Sequence, residues 1–469
     1  MTESPVQLYR ARTAIHPRSV SGRFRNAKYA VLALAYGVFF LLPWLRWSRD
    51  VGPQQALLFD LPARRFYVFD LVVHPQEIFW LAGLLVIAAL LLFFVTGVAG
   101  RVWCGYFCFQ TLWTDVYMLI ERLVQGEQPA RIRLAKAPWG MAKLFKLALT
   151  HVLWLAVAFA TGLTFTLYWA DAPALVGHFF TGQAPFPAYA TTLLLTVTTY
   201  VFAGLAREQV CTYMCPYARF QSVMFDRDTL IVSYDRARGE GANGRYKPDR
   251  ELKERETRQA AGHGDCIDCG YCVQVCPTGV DIREGLQVEC IHCALCVDAC
   301  DGIMDTLGWP RGLVRYTSQN ALEGRRTRLL KPKTLGYGVV LLIATALLIG
   351  SVAGHPDIDV SVRQTRNPLS VTLSSGEVQN RYTIKVDNTS GRPLRLRLVL
   401  DGLPGAHMTV LPSPELHLRP EARRALYVKV RLAPEPGQAR RLKFRFRLQP
   451  QGRTSEPEPV SVPSQFYTR

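Results

Sequence analysis

Five stretches of this 469-residue sequence, at about 29–46, 78–100, 147–170, 187–206 and 335–354, are apolar enough and long enough to cross a hydrocarbon layer of roughly 30 Å. Two are almost unbroken: IFWLAGLLVIAALLLFFVTGVAG and LGYGVVLLIATALLIGSVAG. The first stretch is weaker, because Pro43 and Arg46 close it early. Lipid offers backbone groups no hydrogen-bond partners, so each stretch is expected to be a helix. The flanking charges set an orientation. Segments 1–28, 101–146 and 207–334 carry six, seven and nineteen Lys/Arg, whereas 47–77 has three and 171–186 none. The alternation predicts a cytoplasmic N-terminus and an outer C-terminal part. That part also holds nineteen Lys/Arg, but a long folded domain translocates largely regardless of charge. The net charge of +18 is spread over loops and C-terminal region, so nucleic acid is not an expected partner and membrane lipid is.

The regions between and after the spans have their own signatures. No secretory signal is visible, and 1–28 reads as a cytoplasmic tail before a membrane domain over 29–235. Segment 236–262 is charged and Gly-containing, which predicts a flexible linker with a short helix at its end. A ferredoxin-like domain is expected over 263–310, a connector over 311–334 and the last span over 335–354. Beyond 355 the runs RYTIKV, LRLRLVL, LYVKVRL and LKFRFRL alternate apolar with polar residues between turns such as DNTSG and PEPGQ. Period two with such turns predicts an antiparallel β-sandwich over 355–469. The fold class is therefore multi-domain: an α-helical membrane bundle, an α+β ferredoxin domain and an all-β, immunoglobulin-like domain. His355, His407 and His417 are scattered there and read as surface residues.

Eight of the twelve cysteines fall within CIDCGYCVQVCPTGVDIREGLQVECIHCALCVDAC. Cys266, Cys269, Cys272 and Cys276 followed by Pro277 spell C-x2-C-x2-C-x3-C-P, and Cys290, Cys293, Cys296 and Cys300 repeat the spacing. In two-cluster bacterial ferredoxins the fourth cysteine of such a run ligates the other cluster. This predicts two 4Fe-4S clusters, one on Cys266, Cys269, Cys272 and Cys300, the other on Cys276, Cys290, Cys293 and Cys296. Zinc sites pair distant CxxC units rather than triplets, and a reducing compartment disfavours disulfides. Asp301 stands where a second Pro often follows, which predicts a changed turn. The small residues Gly270, Gly279 and Ala294 let the backbone approach the sulfides.

The remaining cysteines form two C-x3-C pairs, Cys104 with Cys108 and Cys211 with Cys215, just past the second and fourth spans. On a helix, positions i and i+4 share a face, so each pair is expected to aim two sulfurs at one point. Four converging thiolates suit Cu(I), zinc or a further iron–sulfur centre. Alternatively each pair cycles between dithiol and disulfide, or the cysteines simply pack between helices. Met214 offers a thioether to copper or packs. His151, about one turn inside the third span, is a metal ligand, a proton carrier or a hydrogen-bonded structural residue.

Together GRVWCGYFCFQTLWTD, REQVCTYMCPYARFQSVMFD and GVDIREGLQVECIHCALCVDACDGIMDTLGWPRGLVRYTS resemble the cytochrome c oxidase accessory protein family, called CcoG, FixG or RdxA. The likeness covers almost the whole chain, and Trp103, Gly105, Gln110 and Tyr217 around the C-x3-C pairs make it specific. It implies a bacterial inner-membrane protein with a periplasmic C-terminal domain. It implies assembly of cbb3-type cytochrome oxidase, with that oxidase or its copper-delivery factors and an electron donor as partners. It also implies reduction of Cu(II) to Cu(I), with Cys104, Cys108, Cys211 and Cys215 binding or reducing copper. The family pattern CxxxCP is kept at Pro216, but Phe109 replaces the first Pro, which predicts a longer helix and a shifted angle between Cys104 and Cys108. Two other functions remain: a quinol dehydrogenase module, against which stand the missing C-x-x-C-H and stacked histidines, and a non-redox scaffold whose β domain docks the oxidase.

Overall fold

The computed structural model describes residues 14–468 apart from 50–51, 248–253, 355, 391, 421, 434, 436–437 and 452–458. Two compact units emerge: 1–46, 55–68 and 73–348 form the first, and 47–54, 69–72 and 349–469 the second.

Five helical segments are long and apolar enough to span a membrane: Arg23–Trp44, Ile78–Ala99, Met141–Leu167, Phe186–Ala206 and Pro332–Ala353. The helices run α1 (Arg23–Leu41), α2 (Ile78–Ala99), α3 (Val102–Tyr106), α4 (Phe109–Gln125), α5 (Gln128–Lys136), α6 (Met141–Leu167), α7 (Ala172–Phe180) and α8 (Phe186–Thr199). Helix α8 continues to Ala206 with wider, π-type turns. Leucines such as Leu85, Leu193 and Leu342 stand on outer faces, as lipid-facing residues do. Inside the bundle, Trp113, Tyr117 and Trp154 pack with Leu32 and Ala203. Trp113 Nε1 donates to Thr161 Oγ1 at 2.8 Å, and Tyr117 Oη donates to the Trp154 carbonyl at 2.9 Å. These bonds satisfy polar groups that lipid would leave bare. Helix α1 starts at Arg23 rather than 29, because Asp298 accepts the N–H groups of Phe24 and Arg25 at 3.2 and 2.8 Å. A carboxylate satisfying free N–H groups at a helix N-terminus fixes where the helix begins.

After α9 (Pro216–Met224), strand Ile231–Tyr234 pairs antiparallel with Val314–Thr317, so the expected 311–334 connector begins as part of the ferredoxin region. Between these strands lie α10 (Arg236–Glu240), α11 (Arg255–Ala260), α12 (Tyr271–Gln274) and α13 (Leu295–Leu307); α14 (Gln319–Leu322) and α15 (Pro332–Ala353) follow. The expected flexible linker is folded over 236–247. Arg238 Nε meets Asp265 Oδ2 at 2.6 Å and the Cys266 N–H donates to the Gly239 carbonyl at 3.0 Å, which ties the segment to the first cysteine loop. The short helix expected at its end is α11.

In the second unit, one sheet has the order His407–Leu411, Arg423–Leu432, Val378–Asn388, Ile358–Gln364, with Val371–Thr372 also pairing to Val378–Asn388. The other has the order Glu415–Leu418, Leu394–Asp401, Arg441–Pro450, Val460–Tyr467. Alternate residues, among them Ile384, Val386, Leu396, Val430 and Phe446, fill one core. His407 and His417 are exposed as expected; His355 lies outside the described residues.

Candidate redox centre

The ferredoxin cysteines surround two cavities. The first is lined by Cys266, Cys269, Cys272 and Cys300 with Ile267, Ile303 and Leu313. The second is lined by Cys276, Cys290, Cys293 and Cys296, with Cys272 also reaching it. Each thus draws three thiols from one motif and its fourth from the other. The backbone turns left-handed at the same two places in both motifs: Asp268 and Gly270 (φ 50° and 64°), His292 and Ala294 (φ 53° and 58°). Such turns curl successive N–H groups toward one concavity, which suits sulfide ligands. The Val280 N–H already donates to Cys276 Sγ at 3.3 Å. Among the described residues no three His, Cys, Asp or Glu side chains close on a single-ion site. Thiols spread around a cavity with apolar walls fit a cluster instead. The turn expected from Asp301 is absent: α13 runs through Cys300 and Asp301, and Asp301 Oδ1 accepts the Gly312 N–H at 3.0 Å.

The two C-x3-C motifs share an architecture that their spacing did not predict. Neither pair lies on one continuous helical face. In both, the helical turn breaks at the second cysteine, which is extended (φ −64°, ψ 127° at Cys108; φ −80°, ψ 108° at Cys215) and precedes a new helix, α4 or α9. The Cys108 N–H donates to the Trp103 carbonyl at 3.0 Å, and the Cys215 N–H to the Val210 carbonyl at 2.8 Å, the same five-residue closure. Phe109 therefore does not lengthen the first helix. It takes the helix-opening place that Pro216 takes in the second motif and packs on Trp113, ring centres 4.6 Å apart. The residue two beyond each second cysteine reaches toward the opposite span. Gln110 Nε2 donates to the Phe202 carbonyl at 2.8 Å, and Tyr217 Oη meets Thr96 Oγ1 at 3.0 Å.

The four thiols lie near enough to act on one another through their charge, although no three of them close on one point among the described residues. Charge on Cys108, Cys211 or Cys215 acts on Cys104, whose Sγ donates to Gln221 Oε1 at 3.1 Å. Burial, reinforced by Cys108, pushes the Cys104 thiol up to about 12, and burial pushes Cys211 to about 12 as well; Arg101 opposes both shifts. Burial likewise raises Cys272, Cys290 and Cys300 to about 12. Met214 points outward, more than half exposed. His151 Nδ1 meets Tyr200 Oη at 2.9 Å and its ring packs edge-on to Trp154, so its observed partners are aromatic.

The loop that carries the first pair packs against the backbone that carries Cys293. A Cβ on Gly105 would stand 2.8 Å from the Ile291 carbonyl and 3.0 Å from Cys293 Cα. Tyr106 Oη donates to the Cys293 carbonyl at 3.0 Å, and Cys104 packs against the apolar group that includes Cys293. The Arg101 N–H donates to His292 Nδ1 at 2.9 Å. His292, buried and close to Arg101, is held down at about 3 and is therefore neutral. Gly105 was visible in the sequence as a family residue; its contact, with a loop far along the chain, was not. His292 and Gln221 carried no local signal.

Three family models match: a 4Fe-4S binding domain over 81–125, a 4Fe-4S dicluster domain over 206–319, and the IG-like fold at the C-terminal of FixG over 348–469. Protein RdxA of Cereibacter sphaeroides is 41% identical, covering 87% of each chain. Nitrogen fixation protein FixG of Rhizobium meliloti is 40% identical, over 86% of this chain and 82% of its own. A crystal structure of a FixG-related protein from Vibrio parahaemolyticus matches 24% of this chain and 99% of its own, at 22% identity and a TM-score of 0.22.

Proposed function

The chain belongs to the FixG/RdxA family of membrane-associated iron–sulfur electron-transfer proteins, and on that footing we propose that it reduces Cu(II) to Cu(I) at Cys104, Cys108, Cys211 and Cys215 for assembly of a cbb3-type oxidase. Its N-terminus and ferredoxin domain face the cytoplasm and its β domain the periplasm, an orientation supported by the alternation of Lys/Arg between loops. One 4Fe-4S cluster is held by Cys266, Cys269, Cys272 and Cys300, the other by Cys276, Cys290, Cys293 and Cys296. When bound, these clusters supply single electrons. The observation that carries the reading is the close approach of Gly105 and Tyr106, in the loop between Cys104 and Cys108, to the backbone of Cys293.

The chain's own groups fit the chemistry. Soft thiolates favour Cu(I) over Cu(II), so copper held by them is easier to reduce. Each thiol loses its proton as copper binds, and Arg101 offsets part of the charge that remains. Purified protein given a chemical reductant should reduce Cu(II), and the double substitution Cys211→Ala, Cys215→Ala should bring the rate to background. An unchanged rate removes that pair from the mechanism.

The raised thiols give a pH signature. Cys104 and Cys211 are protonated at neutral pH, so copper affinity should climb with pH by about tenfold per unit for each thiolate recruited. Titrating Cu(I) against a competing chelator between pH 6.5 and about 8.5 measures the slope; a flat profile rules out binding by these two sulfurs.

A second reading has one observation in its favour. The 4Fe-4S model over 81–125 covers a stretch whose only cysteines are Cys104 and Cys108. The four membrane-edge thiols then hold a third cluster. Iron analysis separates the readings, three clusters' worth against two. A quinol dehydrogenase role is distinguished by quinol-dependent reduction of the protein without any copper effect.

A further inference from the structure

Two buried carboxylates stand beside the redox centre, and each is shared by two cations. Asp115 meets Arg25 Nη1 at 3.0 Å and Lys28 Nζ at 3.6 Å. Glu121 meets Arg131 Nη1 at 3.1 Å and Arg207 Nη2 more closely still. All six side chains are at most 12% exposed. No third carboxylate pairs with these four cations among the described residues. The buried network therefore holds two more positive charges than negative ones, in surroundings where unpaired charge is costly.

An open pocket adjoins this network. Arg25 and Arg131 line it, one from each pair, and Arg18 and Arg122 add two further guanidinium groups. Asp115 is the sole carboxylate among the lining residues. The Nε of Arg131, which is 3% exposed, has no hydrogen-bond partner among the described residues. Guanidinium forks match phosphate oxygens in geometry and charge. Met118, Leu119 and Leu295 supply an apolar side to the same cavity, and Arg25 sits in the opening turn of a helix long and apolar enough to span a membrane.

We propose that this cavity binds a phosphate-bearing anion, presented by an anionic phospholipid headgroup or by free phosphate. The anion adds negative charge beside these guanidinium groups. It also joins three parts of the chain across one site: the segment Pro17–Val20, helix α4, and the wall formed by Val275 and Pro277 beside Cys276.

The test uses the full chain, purified and delipidated in detergent, and follows thermal unfolding during titration with phosphatidylglycerol, phosphatidylcholine or inorganic phosphate. Phosphatidylglycerol should raise the midpoint where phosphatidylcholine does not, because a ligand held only by the folded state stabilises it. An equal rise with inorganic phosphate alone assigns the site to the free ion. In either case the double variant Arg18→Gln, Arg122→Gln should need roughly 10–30-fold more ligand for half the effect. Both residues lie outside the buried pairs, so the ligand-free midpoint should stay near that of the parent. Phosphatidylglycerol retained in native mass spectra of the parent, and lost from the variant, reads the same site without heat. No midpoint shift with any phosphate compound, or a double variant that responds like the parent, overturns the proposal.

Discussion

Glu121→Gln should cost the chain about 3–5 kcal/mol of folding stability, among the largest losses expected of any single uncharged replacement in this protein. The carboxylate is buried and takes hydrogen bonds from both Arg131 and Arg207. Gln keeps the shape and one acceptor oxygen but removes the charge, leaving two nearly buried guanidinium groups without their shared carboxylate. The effect comes from the two charges left behind, not from the worth of the pair, since a buried ion pair can be nearly neutral when both partners go together. The surface supplies the contrast. Arg311 and Asp305 form a well-made pair at 2.6 Å with both side chains in solvent, and Asp305→Asn should leave the unfolding midpoint where it is. Thermal unfolding of the two variants beside the parent makes the comparison. Equal midpoints for Glu121→Gln and the parent would show that solvent reaches the Glu121 network.

The second large effect is expected at Gly105. A methyl group there meets backbone on two sides, the Ile291 carbonyl at 2.8 Å and Cys293 Cα at 3.0 Å. Backbone cannot rotate away as a side chain can, so the loop carrying Cys293 has to shift, at a cost of about 1–3 kcal/mol. Gly105→Ala should therefore lower iron retention in the cavity of Cys276, Cys290, Cys293 and Cys296 and leave the cavity of Cys266, Cys269, Cys272 and Cys300 loaded. Iron content should fall toward one cluster's worth, and Cu(II) reduction should fall with it. Gly302→Ala, in α13 with nothing within 4 Å of the added carbon, is the matched control and should change neither. Full iron content together with full reductase rate in Gly105→Ala would separate the thiol loop from electron delivery.

The features legible in the sequence are those coded by local spacing. The five spans emerge because apolar runs of that length have one stable solution in lipid. The sandwich emerges because Leu394, Leu396 and Leu398 alternate with charge, and the structure buries all three. The crossed cavity linings follow from the C-x2-C-x2-C-x3-C spacing. What spacing misled on was the C-x3-C pairs, read as one helical face. The helix breaks at Cys108 and Cys215, and the break depends on closing bonds and on packing around each motif rather than on Pro alone, since Phe109 breaks it too. What spacing could not reach was any partner distant in the chain. Lys28 and Arg25 look like a basic flank until Asp115 is seen between them, and His151 looks like a ligand until Tyr200 is seen against it.

The crossed ties beside the thiols also impose an order in time. Gln110 finds its acceptor 92 residues later, at Phe202, and Tyr106 finds Cys293 187 residues later. At roughly 5–20 residues per second, a ribosome has made Cys104 and Cys108 about 10–40 s before the loop that covers them exists. For that interval Cys104 lacks the Cys293 loop it packs against in the finished chain. The contact that holds the first thiol loop is thus among the last to form as the chain is made.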